Sequence, residues 1–161
     1  MSLPQSILEL ERRDAEPGGE PTLGLALEVA IEEWRAGNRD RELRLHLLFL
    51  CWYCNLEPPF VTGLDDSRVP SSGLPALFEE VYATLAEGIY DDPEGLYVVG
   101  LMAQLASWCV GDDPAMWEAR GREFIARYRQ LLPGGLPATA FEGRGAYGDY
   151  FAGQVVVTSG F

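Results

Sequence analysis

The sequence contains no lysine, a single histidine and three cysteines, and each scarcity removes a class of chemistry. Without lysine there is no Schiff-base nucleophile and no lysine-bearing phosphate loop. With His46 as the only imidazole and no G-x-S-x-G elbow, a nucleophile–base pair has little to draw on. Positive charge is scarce as well: 12 basic residues, all arginine, stand against 25 acidic ones, for a net charge of -13. A field of that sign repels polyanions and anionic lipid surfaces, so neither nucleic acid nor a membrane is an expected partner. A basic protein would instead be steered towards it. The opening Met1-Ser2-Leu3-Pro4-Gln5 lacks the basic residues and long apolar run of an export signal. Three cysteines without such a signal suit a reducing compartment, and a cytoplasmic location with free thiols is the expectation.

Against these absences stands a chain that is 47% hydrophobic and 11% aromatic. That is enough apolar area to offset the entropy of folding. Residues 1–20 carry a short apolar patch, Ile7-Leu8 with Leu10, and then Pro17-Gly18-Gly19; they are expected to form a flexible lead-in, a loose helical turn running into a linker. Residues 21–161 are expected to form one helical domain with a tail packed on it.

The apolar spacing predicts about five main helices. Leu23, Leu27, Ala30 and Trp34 recur at helical steps, with glutamates between them. Gly37-Asn38 then supplies a stop, and Asn38 a candidate cap for the next helix. Leu45 to Tyr53 is apolar on all sides and predicts a buried helix ended by Glu57-Pro58-Pro59. A helix over Pro75 to about Gly88 follows a long loop. Asp91-Asp92-Pro93 and Asp112-Asp113-Pro114 repeat one signal, an acidic cap followed by proline at the first helical position. The helix after the first is expected to reach Val110; its uncharged stretch from Gly95 to Gly111 fits a core helix better than a membrane span. The helix after the second ends near Leu132. The tail carries many glycines and a β-prone run, Gln154 to Thr158, so an irregular segment with one short strand is expected there. The fold class is all-α, built from antiparallel helical hairpins. The spacing resembles stacked hairpins of the tetratricopeptide kind in architecture only, because that repeat's pattern of residues does not fall in register.

Three motifs invite chemistry. Cys51-Trp52-Tyr53-Cys54 has redox spacing, yet it would close a helix, where the dipole raises a thiol pKa; in thioredoxin-like proteins the motif opens one. His46, Cys51, Cys54 and Cys109 are the right types for zinc, but His46 and Cys54 would lie about 12 Å apart along a helix. His46 is therefore expected to be packed and hydrogen-bonded. Gly143-Arg144-Gly145-Ala146-Tyr147-Gly148 has the spacing of a nucleotide loop and is similar to the phosphate-covering loop of protein kinases. The lysine-bearing strand that must follow such a loop has no counterpart here.

No catalytic residue, metal ligand or cofactor is therefore assigned. The favoured function is a non-catalytic adaptor recognising a protein partner, with an acidic immunity-type protein for a basic toxin as one form. Candidate contacts are Glu57, Phe60, Asp65, Asp66, Arg144, Tyr147, Asp149 and Tyr150. The rival is an enzyme or small-ligand protein with a pocket between the 57–73 loop and the 143–151 segment. A homo-oligomer using Trp34, Trp108 or Trp117 is a third.

Overall fold

A computed structural model describes residues 2–158. Eight α-helices are seen among them: α1 (Gln5–Asp14), α2 (Leu23–Arg35), α3 (Arg41–Leu56), α4 (Pro59–Thr62), α5 (Leu74–Ala83), α6 (Pro93–Leu105), α7 (Pro114–Leu131) and α8 (Gly145–Thr158). No strand occurs among the described residues, and none of their helices is long and apolar enough to cross a membrane.

The centre of the fold is α3. Leu45 to Trp52 are all buried, as the hydrophobicity of every residue but His46 demands. Around it the neighbours are ordered by direction. Arg41 meets Asp92 at the starts of α3 and α6, and further along Trp52 Nε1 donates to the Met102 carbonyl at 3.1 Å, so the two helices run parallel. α8 runs the same way: its Arg144 end meets Glu42, its Tyr147 ring packs on His46 and its Tyr150 ring on Trp52. α6 and α7 run in opposite directions, with Tyr97 against Tyr128 at one end and Ala103 beside Gly121 at the other. A Cβ on Gly121 would lie 3.0 Å from both the Gly100 carbonyl and the Ala103 side chain, so the absence of a side chain sets how closely the helices approach.

The acidic caps act as expected. Asp92 accepts from Gly95 N–H and Asp113 from Met116 N–H, each at 3.1 Å, with Pro93 and Pro114 opening the helices. Asn38 does not cap α3. Asp40 does, accepting from Glu42 N–H, while Asn38 is buried and fixes the preceding turn by bonding Asp40 N–H, Glu33 and the Ser2 carbonyl. Two helices end early: α5 stops at Ala83 and α6 at Leu105, and 3-10 turns over Ala86–Asp91 and Ser107–Cys109 continue them.

Two segments differ more. The lead-in contains α1, whose Ile7 and Glu11 are fully buried. The tail contains α8, and the β-prone run from Gln154 forms its last turns rather than a strand. A lone strand would leave its backbone groups unpaired, whereas a helix satisfies them internally. Trp34 and Trp117 are also buried, with their indole N–H groups on Glu80 and Glu79, so neither can serve a self-complementary face; Trp108 is half-exposed.

Candidate functional site

The parallel course of α3, α6 and α8 brings three helix N-termini to one place, and with them three partial positive charges. Carboxylates collect there. Glu42 comes from the first turn of α3, Asp92 and Glu94 from the start of α6, and Glu11 reaches across from α1 to accept the Tyr147 N–H of α8 at 3.0 Å. Gly145 makes that last contact feasible. Its φ is +68°, and a Cβ would stand 2.7 Å from Glu11 Oε1.

Three cations knit these acids into a continuous chain. His46 Nδ1 faces Glu11 Oε2 at 2.5 Å, and its Nε2 faces Glu42 Oε2 at 3.3 Å. Arg144 bonds Glu42 through Nε and a terminal nitrogen, and its other terminal nitrogen lies 2.5 Å from Glu94 Oε1. Tyr147 O–H donates to the same Glu94 oxygen at 2.9 Å. Arg41 then joins Glu94 at 3.0 Å to Asp92 at 2.8 Å. Four carboxylates thus meet two guanidiniums and one imidazole. The chain grades from interior to surface: Glu11 and His46 side chains are 0% exposed, whereas Arg41 is 43% exposed.

An imidazole with an ionised carboxylate on each nitrogen is satisfied when it donates from both, which is the imidazolium form. Burial alone would lower the His46 pKa, but its hydrogen bonds to Glu11 and Glu42, and then their charges, overcome it and hold the pKa up at about 9. Glu42 shows the converse. Burial pushes its pKa up, yet the bonds from His46 and Arg144 prevail and bring it to about 2. Tyr147 is driven well above the usual phenol value, first by burial and then by the charge of Glu94.

This arrangement binds four helices together, and its innermost pair, Glu11 and His46, has no accessible surface. Among the described residues, no group of three or more His, Cys, Asp or Glu is placed to hold a metal. Cys51, Cys54 and Cys109 are free and buried, and burial raises the pKa of each, to about 12 for Cys54 and Cys109. A raised thiol pKa is the direction expected for the Cys51–Cys54 pair, but burial, rather than the helix terminus, is its main cause.

The candidate contacts fall into three environments. Tyr147 is fully buried and so is not a surface contact; Arg144, 20% exposed, is committed to Glu42 and Glu94. Tyr150 packs on Phe49, Trp52 and Tyr53, and burial, with a smaller contribution from the Glu57 charge, raises its pKa to about 12. Asp149 is exposed on α8.

The loop that holds the remaining candidates is pinned. Asp65 accepts from the backbone and hydroxyl of Ser67, and Asp66 accepts from Ser71 N–H at 2.8 Å. These bonds hold both carboxylates below the usual pKa range. Arg68 pairs with Glu28 of α2 at 2.7 Å, and Gly63 lies against Gly24 so closely that a Cβ on Gly24 would sit 2.6 Å from the Gly63 carbonyl. Phe60, on the one-turn α4 that leads into this loop, is 82% exposed. The 57–73 segment thus lies against α2 and α3, and the 143–151 segment against α1, α3 and α6, so the two share α3.

The chain matches no family model, no curated protein and no solved structure. Sequence reasoning missed Glu11 and Glu94 altogether, and its one available signal was the four-residue spacing of Glu42 and His46 on α3.

Proposed function

We propose that the chain is a non-catalytic binding protein that recognises a basic protein partner through the segment carrying Phe60, Asp65 and Asp66. The observation that supports this most strongly is Phe60 itself, a large aromatic side chain held 82% exposed at the edge of an acidic loop of fixed shape. An exposed aromatic anchor with a polar surround is the usual make-up of an interface hot spot. A loop already fastened by its own carboxylates loses little conformational freedom on binding.

The charge balance supports the same reading. Arg35, Arg41, Arg68, Arg122, Arg127 and Arg144 are held in ion pairs, and Arg39 stacks on Trp34 at 3.5 Å. With half of the arginines engaged in this way, the acidic excess dominates the field that a partner meets. An immunity-type role against a basic toxin is one form of this function. The packing of successive helices as antiparallel hairpins belongs to the same proposal, as a stiff frame for the loop.

The test is capture of a basic partner by the immobilised chain at low and high salt, repeated with Phe60→Ala and with Asp65→Asn/Asp66→Asn. The asparagines keep the turn-forming acceptor oxygens and remove the charge. Binding that weakens with salt and is lost in both variants is the expected result. Capture unaffected by either variant would overturn the assignment of this segment.

A further inference from the structure

A groove of about 580 Å³ runs between α6 and α7, bounded by the start of the Pro133 loop and by Val155 of α8. Its walls come from positions one helical turn apart: Tyr97 and Leu101 on α6, Ile125 and Tyr128 on α7. The rim is a fixed part of the fold. Leu136 N–H donates to the Tyr128 phenol oxygen at 2.6 Å, which ties the loop down beside the opening. The volume lies within the range of small-molecule sites, roughly 300–1,000 Å³.

The charge of the groove is opposite to that of the protein. The chain carries -13 overall, yet among the described residues the one formally charged side chain lining this groove is Arg129, exposed on α7 at the Tyr97 end, while the exposed amide of Gln104 on α6 lies towards the Gly121 end. A guanidinium is an always-charged fork that matches a carboxylate in a bidentate manner. We infer that this groove binds a small amphipathic carboxylate, its anionic head on Arg129 and its apolar body along Leu101, Ile125 and Tyr128. The site is separate from the acidic loop, and its ligand is of opposite charge to the partner proposed there.

Calorimetric titration of the full chain with submicellar decanoate, decanol and decyltrimethylammonium tests this. Decanoate is expected to bind at least tenfold more tightly than decanol, with decyltrimethylammonium weakest, because a hydrogen bond to a charged group is worth about a factor of ten or more. Arg129→Gln, at an exposed position, should bring decanoate down to the level of decanol without moving the thermal midpoint of the free protein. Gln104→Trp, which adds bulk at the Gly121 end of the groove, should weaken decanoate and decanol alike. Equal binding of decanoate and decanol, decanoate binding unchanged in Arg129→Gln, or no heat from any probe up to millimolar concentration would each overturn the proposal.

Discussion

Glu11 and His46 stand 35 residues apart in the sequence and face each other at 2.5 Å, each side chain without exposed surface. The pair joins α1 to α3, and through the second Glu11 oxygen to the Tyr147 N–H of α8. Charges removed from water in this way are costly unless paired and fully hydrogen-bonded, so the fold is committed to keeping both.

Removing the charge of Glu11 should therefore be expensive. Glu11→Gln keeps the shape and an acceptor for Tyr147 N–H but leaves a buried imidazolium with one carboxylate. Urea unfolding at neutral pH is expected to show a loss of roughly 3–5 kcal/mol. A loss under about 1 kcal/mol, the range of surface pairs, would mean that His46 is not charged.

Stability should also fall on the alkaline side of neutrality. The folded His46 pKa, about 9, exceeds the ordinary 6.5, so the native state holds its proton more tightly than the unfolded chain does. The stabilisation is complete below about pH 6.5 and is lost progressively as pH rises through 9, by roughly 3 kcal/mol in all. Glu42 works in the other direction: its pKa is depressed to about 2, so its contribution is present above the ordinary 4.5 and is lost as pH falls towards 2. Denaturation midpoints across pH 5 to 10 should decline above pH 6.5 in the native protein. In a His46→Gln variant the decline between about pH 6.5 and 8.5 should be absent, leaving only the fall at higher pH that the buried thiols, with their raised pKa values, impose.

Gly145 is expected to tolerate no side chain. Gly145→Ala would place a methyl group at a φ of +68° and within 2.7 Å of Glu11 Oε1. The left-handed backbone alone costs about 1–2 kcal/mol, and displacing Glu11 adds to it. Gly143, whose φ is +72° but whose Cβ would meet nothing within 4 Å, is the control. Thermal unfolding should show Gly145→Ala as clearly the more destabilised of the two.

The thiols should be inert while the protein is folded. Cys51, Cys54 and Cys109 are each 0–2% exposed with pKa values pushed up by burial, so little thiolate is accessible to a disulfide reagent. Labelling with an aromatic disulfide at pH 8 is expected to proceed only at the rate of opening and to become immediate in denaturant. Rapid labelling of one thiol in the native protein would show that its helix opens locally.

Much of this fold is legible in the sequence, because α2, α3, α5, α6 and α7 each announce themselves through apolar spacing and, for α6 and α7, an Asp-Pro start. α8 is not. Gly145, Gly148 and Gly153 weaken its helix propensity, and Val155 to Val157 favour a strand; tertiary contacts override both, because Glu11 caps the helix and Tyr147 and Phe151 are buried in the aromatic core. The polar cluster is hidden for a different reason. Glu11, Glu42, Glu94 and Arg144 each resemble ordinary surface residues in their own segments, and only the parallel packing of α3, α6 and α8 brings them together.

The charged state of His46 can be measured directly by following its imidazole resonances with pH by nuclear magnetic resonance, on the full native chain. A titration midpoint near 9, with both ring nitrogens protonated at neutral pH, is the predicted result. A midpoint at or below 6.5 would contradict it, leaving a neutral imidazole between two acids and no ionic link from α1 to α3.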